Sequence, residues 1–332
     1  MTIIDVAKAA GVSVATVSRV INKNGAVSLR TAQRVERVIR ETGYVPNQAA
    51  RNLRKHENMT VTILAPNFTN PYYSHILAGI GDAGQELGYS VFIRNIQFGR
   101  PEIEDIMRNQ RADGLVLLAG EHNAEWLAEY AAEAPIVQCC EYVEGIGLPQ
   151  VSIDNYRAAY EATEYLLNLG HRRIASILAD NGHISTGLRQ RGYQDALRDA
   201  GVPLRPQYTV KASPDYSYNS GYIMANKLLS LPERPTAIFA ISDILALSAI
   251  AAAADRGLSV PADLSVIGFD DVDYTTMFHP HLTTVAQPCY EIGRLSIIAL
   301  HEFKKTFPSP PAVPFMPHRL ILRESAMPCV AR

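Results

Sequence analysis

The sequence has little of what marks several common classes of protein. It holds one tryptophan and four cysteines in 332 residues. Cys139, Cys140, Cys289 and Cys329 have no zinc-type spacing, and the adjacent Cys139 and Cys140 are poorly placed to pair. Reduced thiols are therefore expected instead of a disulfide framework. No apolar run approaches the roughly 18 residues of a membrane span, so a membrane is not among the expected partners. The first residues form a polar amphipathic pattern, unlike the charged and then apolar regions of a signal peptide. A cytoplasmic setting is the expectation. There is no phosphate-cradling glycine loop and no Ser/His/Asp order. His279-Pro280-His281 offers two imidazoles without a third ligand at metal-site spacing. Asp270 and Asp271 follow an apolar run, where an aspartate is commonly a turn or capping residue. An enzyme is not expected, nor a cofactor or a resident metal.

What is present is segregated by charge. The net charge is only -2, yet residues 1–56 carry ten lysines and arginines against three carboxylates. That segment is +7, and residues 57–332, with 21 basic and 30 acidic side chains, are -9. A basic module that meets phosphate, joined to an acidic body that does not, accounts for this division.

The basic segment contains a helix, a glycine turn and a second short helix. Asp5–Ala10 reads as the first helix, with Val6 and Ala10 turned inward. Gly11 can take the left-handed turn, and Ser13 is a natural N-cap. In the helix that follows, Val17, Val20 and Ile21 fall on one face, leaving Ala15, Thr16, Ser18 and Arg19 outside. This is a helix-turn-helix pattern, whose second helix can enter the DNA major groove; a small helical bundle with one polar face is the alternative. Ser28 caps a third helix over Leu29–Thr42, with Val35, Val38 and Ile39 at helical spacing and Gly43 as its stop. Asn47–Arg54 is helix-capable, with Leu53 as its one large apolar residue, but too short to be stable alone.

From Thr60 short apolar strands alternate with amphipathic helices. The expected order is a strand to Ala65, a helix over Tyr72–Leu87, a strand over Ser90–Arg94, a helix over Ile103–Arg108 and a strand over Gly114–Leu118. A strand is also expected over Ile136–Cys140. The alternation restarts after Val151–Asp154 with a helix over Tyr156–Leu169, a strand over Arg173–Leu178 and a helix beginning near Thr186. Strands over Thr236–Ala240 and Leu264–Phe269 enclose a helix over Asp243–Arg256. Such alternation implies parallel sheets covered on both faces. Two doubly wound halves joined by crossovers leave a cleft at the carboxyl ends of their strands.

Thr2-Ile3-Ile4-Asp5-Val6-Ala7 together with Ala15-Thr16-Val17-Ser18-Arg19-Val20-Ile21-Asn22 resembles the headpiece of the lactose-repressor (LacI) family. Gly170-His171-Arg172-Arg173-Ile174, Arg191–Leu197, Val260–Asp270 and Leu282–Pro288 extend the resemblance over nearly the whole chain. It implies an α/β chain: an N-terminal helix-turn-helix headpiece plus a periplasmic-binding-protein-like core of two doubly wound parallel-sheet subdomains. The implied division is 1–45 for the headpiece, 46–59 for hinge helix and linker, and 60–332 for an effector-binding and dimerisation core. The implied function is a homodimeric transcriptional repressor, released from a pseudo-palindromic operator in double-stranded DNA by a small-molecule effector. A sugar-binding sensor without DNA function is the rival reading, and the basic N-terminal segment speaks against it.

The same resemblance suggests residues. Val14, Ala15 and Arg19 face base edges, and arginine is well suited to guanine O6 and N7. Thr2, Ser13, Thr16, Ser18, Asn22, Ser28, Thr31, Tyr44 and Asn47 join the DNA-binding set; most of them match phosphate-gripping positions that orient without specifying. For Ser13 and Ser28, helix capping is an alternative compatible with phosphate contact. Leu53 matches a leucine wedged into the minor groove and Ala50 the small residue against its partner helix; a plain linker is the alternative. For the effector the resemblance points to Tyr72, Tyr73, Cys140, Glu141, Arg189, Tyr216, Ser242 and Asp270. Family membership favours a sugar or sugar derivative, while Thr283–Arg294 resembles the cytidine-responsive branch, which answers to nucleosides. No leucine heptad follows Arg323, so the tail that makes some relatives tetramers is not expected.

Overall fold

Hydroxyl side chains start each described helix of the N-terminal unit, so these elements begin where local chemistry dictates. A computed structural model describes residues 2–21, 27–44, 58–66, 70–95, 112–118 and 124–329. The chain divides into two units, 1–58 and 59–332. In the first, α1 spans Ile3–Ala10, where Thr2 and Asp5 form a reciprocal capping box and Gly11 ends the helix at φ 60°. That box moves the start of α1 two residues ahead of the expected Asp5. Helix α2 spans Val14–Ile21, with the Ser13 hydroxyl accepting from the Thr16 amide at 3.2 Å. Helix α3 spans Leu29–Thr42, capped by Ser28 and closed by Gly43 at φ 61°. Val6, Ala7, Ala10, Val17, Val35 and Val38 form the unit's own core, with Val20, Ile21 and Ile39 half-buried at its rim. Asn22 and the expected hinge residues Asn47, Ala50 and Leu53 lie outside the described residues, as does the helix expected over 103–108.

Among the described residues the second unit has two sheets. The first takes β1 (Thr60–Ala65), β2 (Ser90–Asn95), β3 (Gly114–Leu117), β4 (Ile136–Cys139) and β5 (Gln150–Val151) in the order β2-β1-β3-β4-β5, all parallel. Helices α4 (Tyr72–Glu86) and α5 (Ala124–Ala131) belong to this half. The second sheet takes β6 (Ile174–Ala179), β7 (Thr209–Ala212), β8 (Ala237–Ala240), β9 (Ser265–Asp270), β10 (Thr283–Ala286) and β11 (Arg319–Ile321) in the order β11-β10-β9-β8-β6-β7. It is parallel except for β11, which joins the edge antiparallel and departs from the all-parallel expectation. Its helices are α6 (Asn155–Asn168), α7 (Ile184–Asp199), α8 (Tyr218–Leu229) and α9 (Asp243–Asp255). Helix α7 starts at Ile184, just before the expected Thr186, and β4 stops short of Cys140, whose φ is 69°.

The chain crosses between halves after β5, after β10 and before β11. The last helix, α10 (Cys289–Thr306), thus returns to the first half and packs along α4. That approach is close: a Cβ at Gly79 would lie 2.0 Å from the Tyr290 carbonyl oxygen, and one at Gly293 2.0 Å from that of Ile76. Both positions therefore need glycine for proximity. The strands β6 and β9 are buried along their full length, as a sheet covered on both faces requires.

Candidate functional site

On the N-terminal unit, the exposed residues of α2 include Ala15 and Arg19, while Thr16 and Ser18 are half-buried. Val14 is turned partly inward, packing on the unit's core, and Tyr44 packs there too. Thr2, Ser13 and Ser28 all act as caps: Ser13 Oγ lies 2.9 Å from Thr16 Oγ1, Ser28 Oγ 2.9 Å from Thr31 Oγ1, and Thr2 Oγ1 donates to Asp5 at 2.9 Å. These three caps remain exposed, and a helix N-terminus presents free amides that suit an anion. Capping and phosphate contact are thus compatible at Ser13 and Ser28. The Thr2 amide and hydroxyl hold the Asp5 carboxyl below its usual range.

In the core, the eight residues singled out for the effector line one cavity between the two halves: Tyr72, Tyr73, Cys140, Glu141, Arg189, Tyr216, Ser242 and Asp270. Asn70, His183 and Ser185 complete its lining. The cavity lies at the carboxyl ends of β4, β8 and β9, where open α/β sheets take ligands. Its volume is about 30 Å³, room for a water or two, so a sugar enters only if the halves part.

Hydrogen bonds across the cleft hold it shut. Glu141, just after β4, accepts from both the amide and the hydroxyl of Ser185 in the first turn of α7, where the helix dipole favours a carboxylate. His183 Nδ1 lies 3.9 Å from the same carboxylate. The Tyr72 hydroxyl donates to Gln287 at 3.3 Å, and Gln287 in turn donates to Asp270 at 2.8 Å. His75 and Asp273 meet at 3.2 Å on the rim. Sequence reasoning missed Ser185, His183 and Gln287, since short polar residues at a helix start or beside a proline carry no distinctive spacing.

Arg189 is buried and well held. Its Nε donates to Asn155 Oδ1 at 2.9 Å and its Nη1 to the Ile241 carbonyl at 2.6 Å. The guanidinium carbon sits 3.7 Å from the Phe269 ring centroid, and Asp270 Oδ1 is 3.8 Å from Nη1. Burial pushes the Asp270 carboxyl up to about 7, although Arg189 and Gln287 both oppose the rise. A group balanced there can accept from a hydroxyl or donate to one. Burial also raises Tyr72, Tyr73 and Tyr216, which stay neutral phenols. Cys140 is raised first by its hydrogen bond with Cys139 and then by burial, so it is an unreactive thiol.

Backbone strain gathers here. Cys140, Tyr216 and Asp270 have φ of 69°, 59° and 120°, conformations that side-chain-bearing residues rarely adopt. Each costs of order 1–3 kcal/mol and persists where the surroundings hold a functional geometry. Two neighbours prove structural. Asp243 is fully buried and clamps Thr284 Oγ1 (2.5 Å) and the Val272 amide (2.9 Å), outside the cavity lining. Asp271 pairs with Arg323 at 2.6 Å. A larger cavity of about 260 Å³, bordered by Arg172, Arg173 and Arg234, opens at the opposite ends of the second sheet's strands.

One expectation from spacing is corrected. His279 and His281 do have a third potential ligand: Glu324, 43 residues beyond His281, lies 2.9 Å from His279 Nδ1 and 3.6 Å from His281 Nδ1. No helix among the described residues is long and apolar enough to cross a membrane.

Residues 2–47 match the bacterial regulatory proteins of the lacI family, and residues 163–326 match the periplasmic binding protein-like domain. The chain is 38% identical over 303 residues to the HTH-type transcriptional repressor CytR of Escherichia coli (strain K12), covering 90% of this chain and 88% of that one. It is similar to the lac repressor dimer bound to operator and the anti-inducer ONPF, with a TM-score of 0.87 and 26% identity over 98% of this chain and 99% of that one. A complex of the transcriptional regulator CelR with cellobiose gives a TM-score of 0.74 at 30% identity, over 98% and 100% of the two chains.

Proposed function

The chain belongs to the lacI family of bacterial regulatory proteins, and we propose that it is a cytoplasmic, homodimeric repressor with no enzymatic activity. Its N-terminal unit reads an operator, and a hydroxyl-rich small molecule in the core cleft, a sugar or sugar derivative, releases it. The observation that carries this reading is the convergence of Tyr72, Tyr73, Cys140, Glu141, Arg189, Tyr216, Ser242 and Asp270 on one cleft between the halves. Arg189 supplies donors, Asp270 an acceptor, and the tyrosines flat faces for a ring.

In the reading unit, Arg19 and Ala15 meet base edges, with Val14 contributing shape from its half-buried position. Thr2, Ser13, Thr16, Ser18, Asn22, Ser28, Thr31, Tyr44 and Asn47 orient the unit on phosphates. Ala50 and Leu53 serve the hinge between operator half-sites. Exposed Ile223, Tyr274, Met277 and Phe278 on the second half are apolar surface for a second copy of the chain, and a two-fold dimer implies a pseudo-palindromic operator.

A ligand that takes Glu141 from Ser185, or Asp270 from Gln287, changes how the halves close. Coupling between cleft and operator is then of the usual about 1–3 kcal/mol and is reciprocal. A nucleoside is the second reading, favoured by three tyrosines on so small a cleft and by the likeness to CytR. The test is a binding selection from random DNA, followed by gel shifts with D-ribose, D-glucose, cellobiose, cytidine and adenosine. An enriched palindrome released by one of these compounds supports the reading. Failure to enrich any sequence overturns it.

A further inference from the structure

We propose that His279, His281 and Glu324 form a binding site for one divalent transition-metal ion of the zinc type, outside the effector cleft. Among the described residues these three make the group whose ligand atoms all lie within 4.8 Å of one another. Bonds of about 2.0–2.1 Å to a tetrahedral zinc set neighbouring ligand atoms about 3.3 Å apart. His279 Nδ1 lies 2.9 Å from Glu324 Oε2 and His281 Nδ1 3.6 Å from Oε1 of the same carboxylate, so each imidazole stands near that spacing from its own oxygen and a small turn of the carboxylate brings one oxygen to both. Two imidazoles and one carboxylate leave a fourth position for water, and imidazole nitrogen suits zinc, copper and nickel better than magnesium or calcium.

The site is built before any ion arrives. Pro280 separates the two histidines, and their rings stack with centroids 4.3 Å apart. The His281 amide donates to Glu324 Oε2 at 2.9 Å, which orients the carboxylate. The His281 carbonyl accepts from the amides of Glu324 and Ser325 at 3.0 and 3.1 Å. Both chain segments are therefore tied together by backbone, and ligand orientation by such outer partners is what metal sites use. The neighbouring guanidinium of Arg323 is directed elsewhere, to Asp271 and the Leu282 carbonyl, so it does not compete with the His279 and His281 groups for the Glu324 carboxylate. The other histidine–carboxylate pairs among the described residues, His75–Asp273, His318–Glu161 and His183–Glu141, carry a single imidazole each. They share the ion-pair chemistry without the second nitrogen ligand.

An ion here staples the loop that follows Asp270 onto the segment after β11. The full-length, untagged protein is titrated with zinc chloride by calorimetry and, separately, desalted and assayed for retained metal. The expected result is one zinc per chain, a raised melting midpoint and no response to magnesium. His279→Asn, His281→Gln and Glu324→Gln each weaken zinc binding at least tenfold, whereas His75→Asn and His318→Gln leave it unchanged. Each variant's melting midpoint without metal establishes that it is folded. Crystals soaked in zinc show an anomalous peak between the three side chains. Absence of stoichiometric zinc in the wild type overturns the proposal. So does equal loss in the control variants, which marks adventitious surface binding.

Discussion

Replacing Arg189 by methionine separates a cleft ligand from a structural brace. Methionine keeps the length and apolar surface of the side chain but removes its donors and charge. Two buried acceptors lose their partners. The Ile241 carbonyl is backbone and cannot turn away, and the Asn155 amide is held by its own donations to Ser152 Oγ at 3.3 Å and the Ile153 carbonyl at 3.4 Å. An unsatisfied buried acceptor costs about 1–3 kcal/mol. The contact with Phe269 is largely replaced by a sulfur–aromatic one, worth about 0.3–1.5 kcal/mol. The usual penalty for stranding a buried charge, about 3–5 kcal/mol, is avoided because Asp270 already titrates near 7 and simply takes up a proton. With two such acceptors and the Phe269 contact roughly replaced, net destabilisation of the core is about 2–6 kcal/mol. Effector binding loses a charge-assisted donor worth about 1.5–3 kcal/mol, a fall of roughly tenfold to a hundredfold. Urea unfolding at pH 7 reads the first quantity. Calorimetric titration with whichever of D-ribose, D-glucose, cellobiose, cytidine or adenosine releases the wild type reads the second. Operator affinity without ligand should stay within about threefold, because the reading unit has its own core. A destabilised core with unchanged ligand affinity would refute the cleft assignment and leave Arg189 a brace alone.

Arg19→Ala should weaken operator binding by about 1–3 kcal/mol and relax preference at one base per half-site; unchanged preference in a binding selection removes Arg19 from base readout. Asp270 makes stability depend on pH, since its folded value near 7 lies above the unfolded one near 3.8. The folded chain holds an extra proton on Asp270 between these values, so the Asp270 contribution to stability is fully present below about pH 4 and is lost as pH rises to about 7, by up to about 1.4 kcal/mol per pH unit. Asp270→Asn should flatten that slope in urea midpoints taken from pH 4.5 to 8, and parallel profiles would contradict it. Gly293→Ala places a methyl 2.0 Å from the Ile76 carbonyl oxygen; forcing α4 and α10 apart should cost at least about 1–3 kcal/mol in thermal melts, and a wild-type melting midpoint would show that the two helices pack differently.

Local chemistry in the sequence determined the elements whose signals are short-range. Gly11, Ser13, Ser28 and Gly43 marked the ends of the reading unit's helices because caps act within three or four residues. Apolar runs such as Ile174–Leu178 and Val266–Phe269 announced buried parallel strands. The effector residues were legible only through resemblance, since neither Arg189 nor Asp270 carries local evidence of facing a cleft. Helices α5, α8 and α10 and strands β7, β10 and β11 escaped, because their apolar patterns are weak or their pairing is set by distant neighbours.

Tertiary structure alone decided what lies between segments far apart in the chain. It sent α10 back across the domain crossover onto α4, closed Glu141 against Ser185, joined Tyr72 to Asp270 through Gln287, and set Arg189 over Phe269. It also placed Glu324 beside His279 and His281, the ligand that spacing along the chain had not revealed. The physical reason is the same in each case. A cap or a period is read over a few bonds, whereas a cleft or a ligand cluster depends on where whole strands and crossovers come to rest.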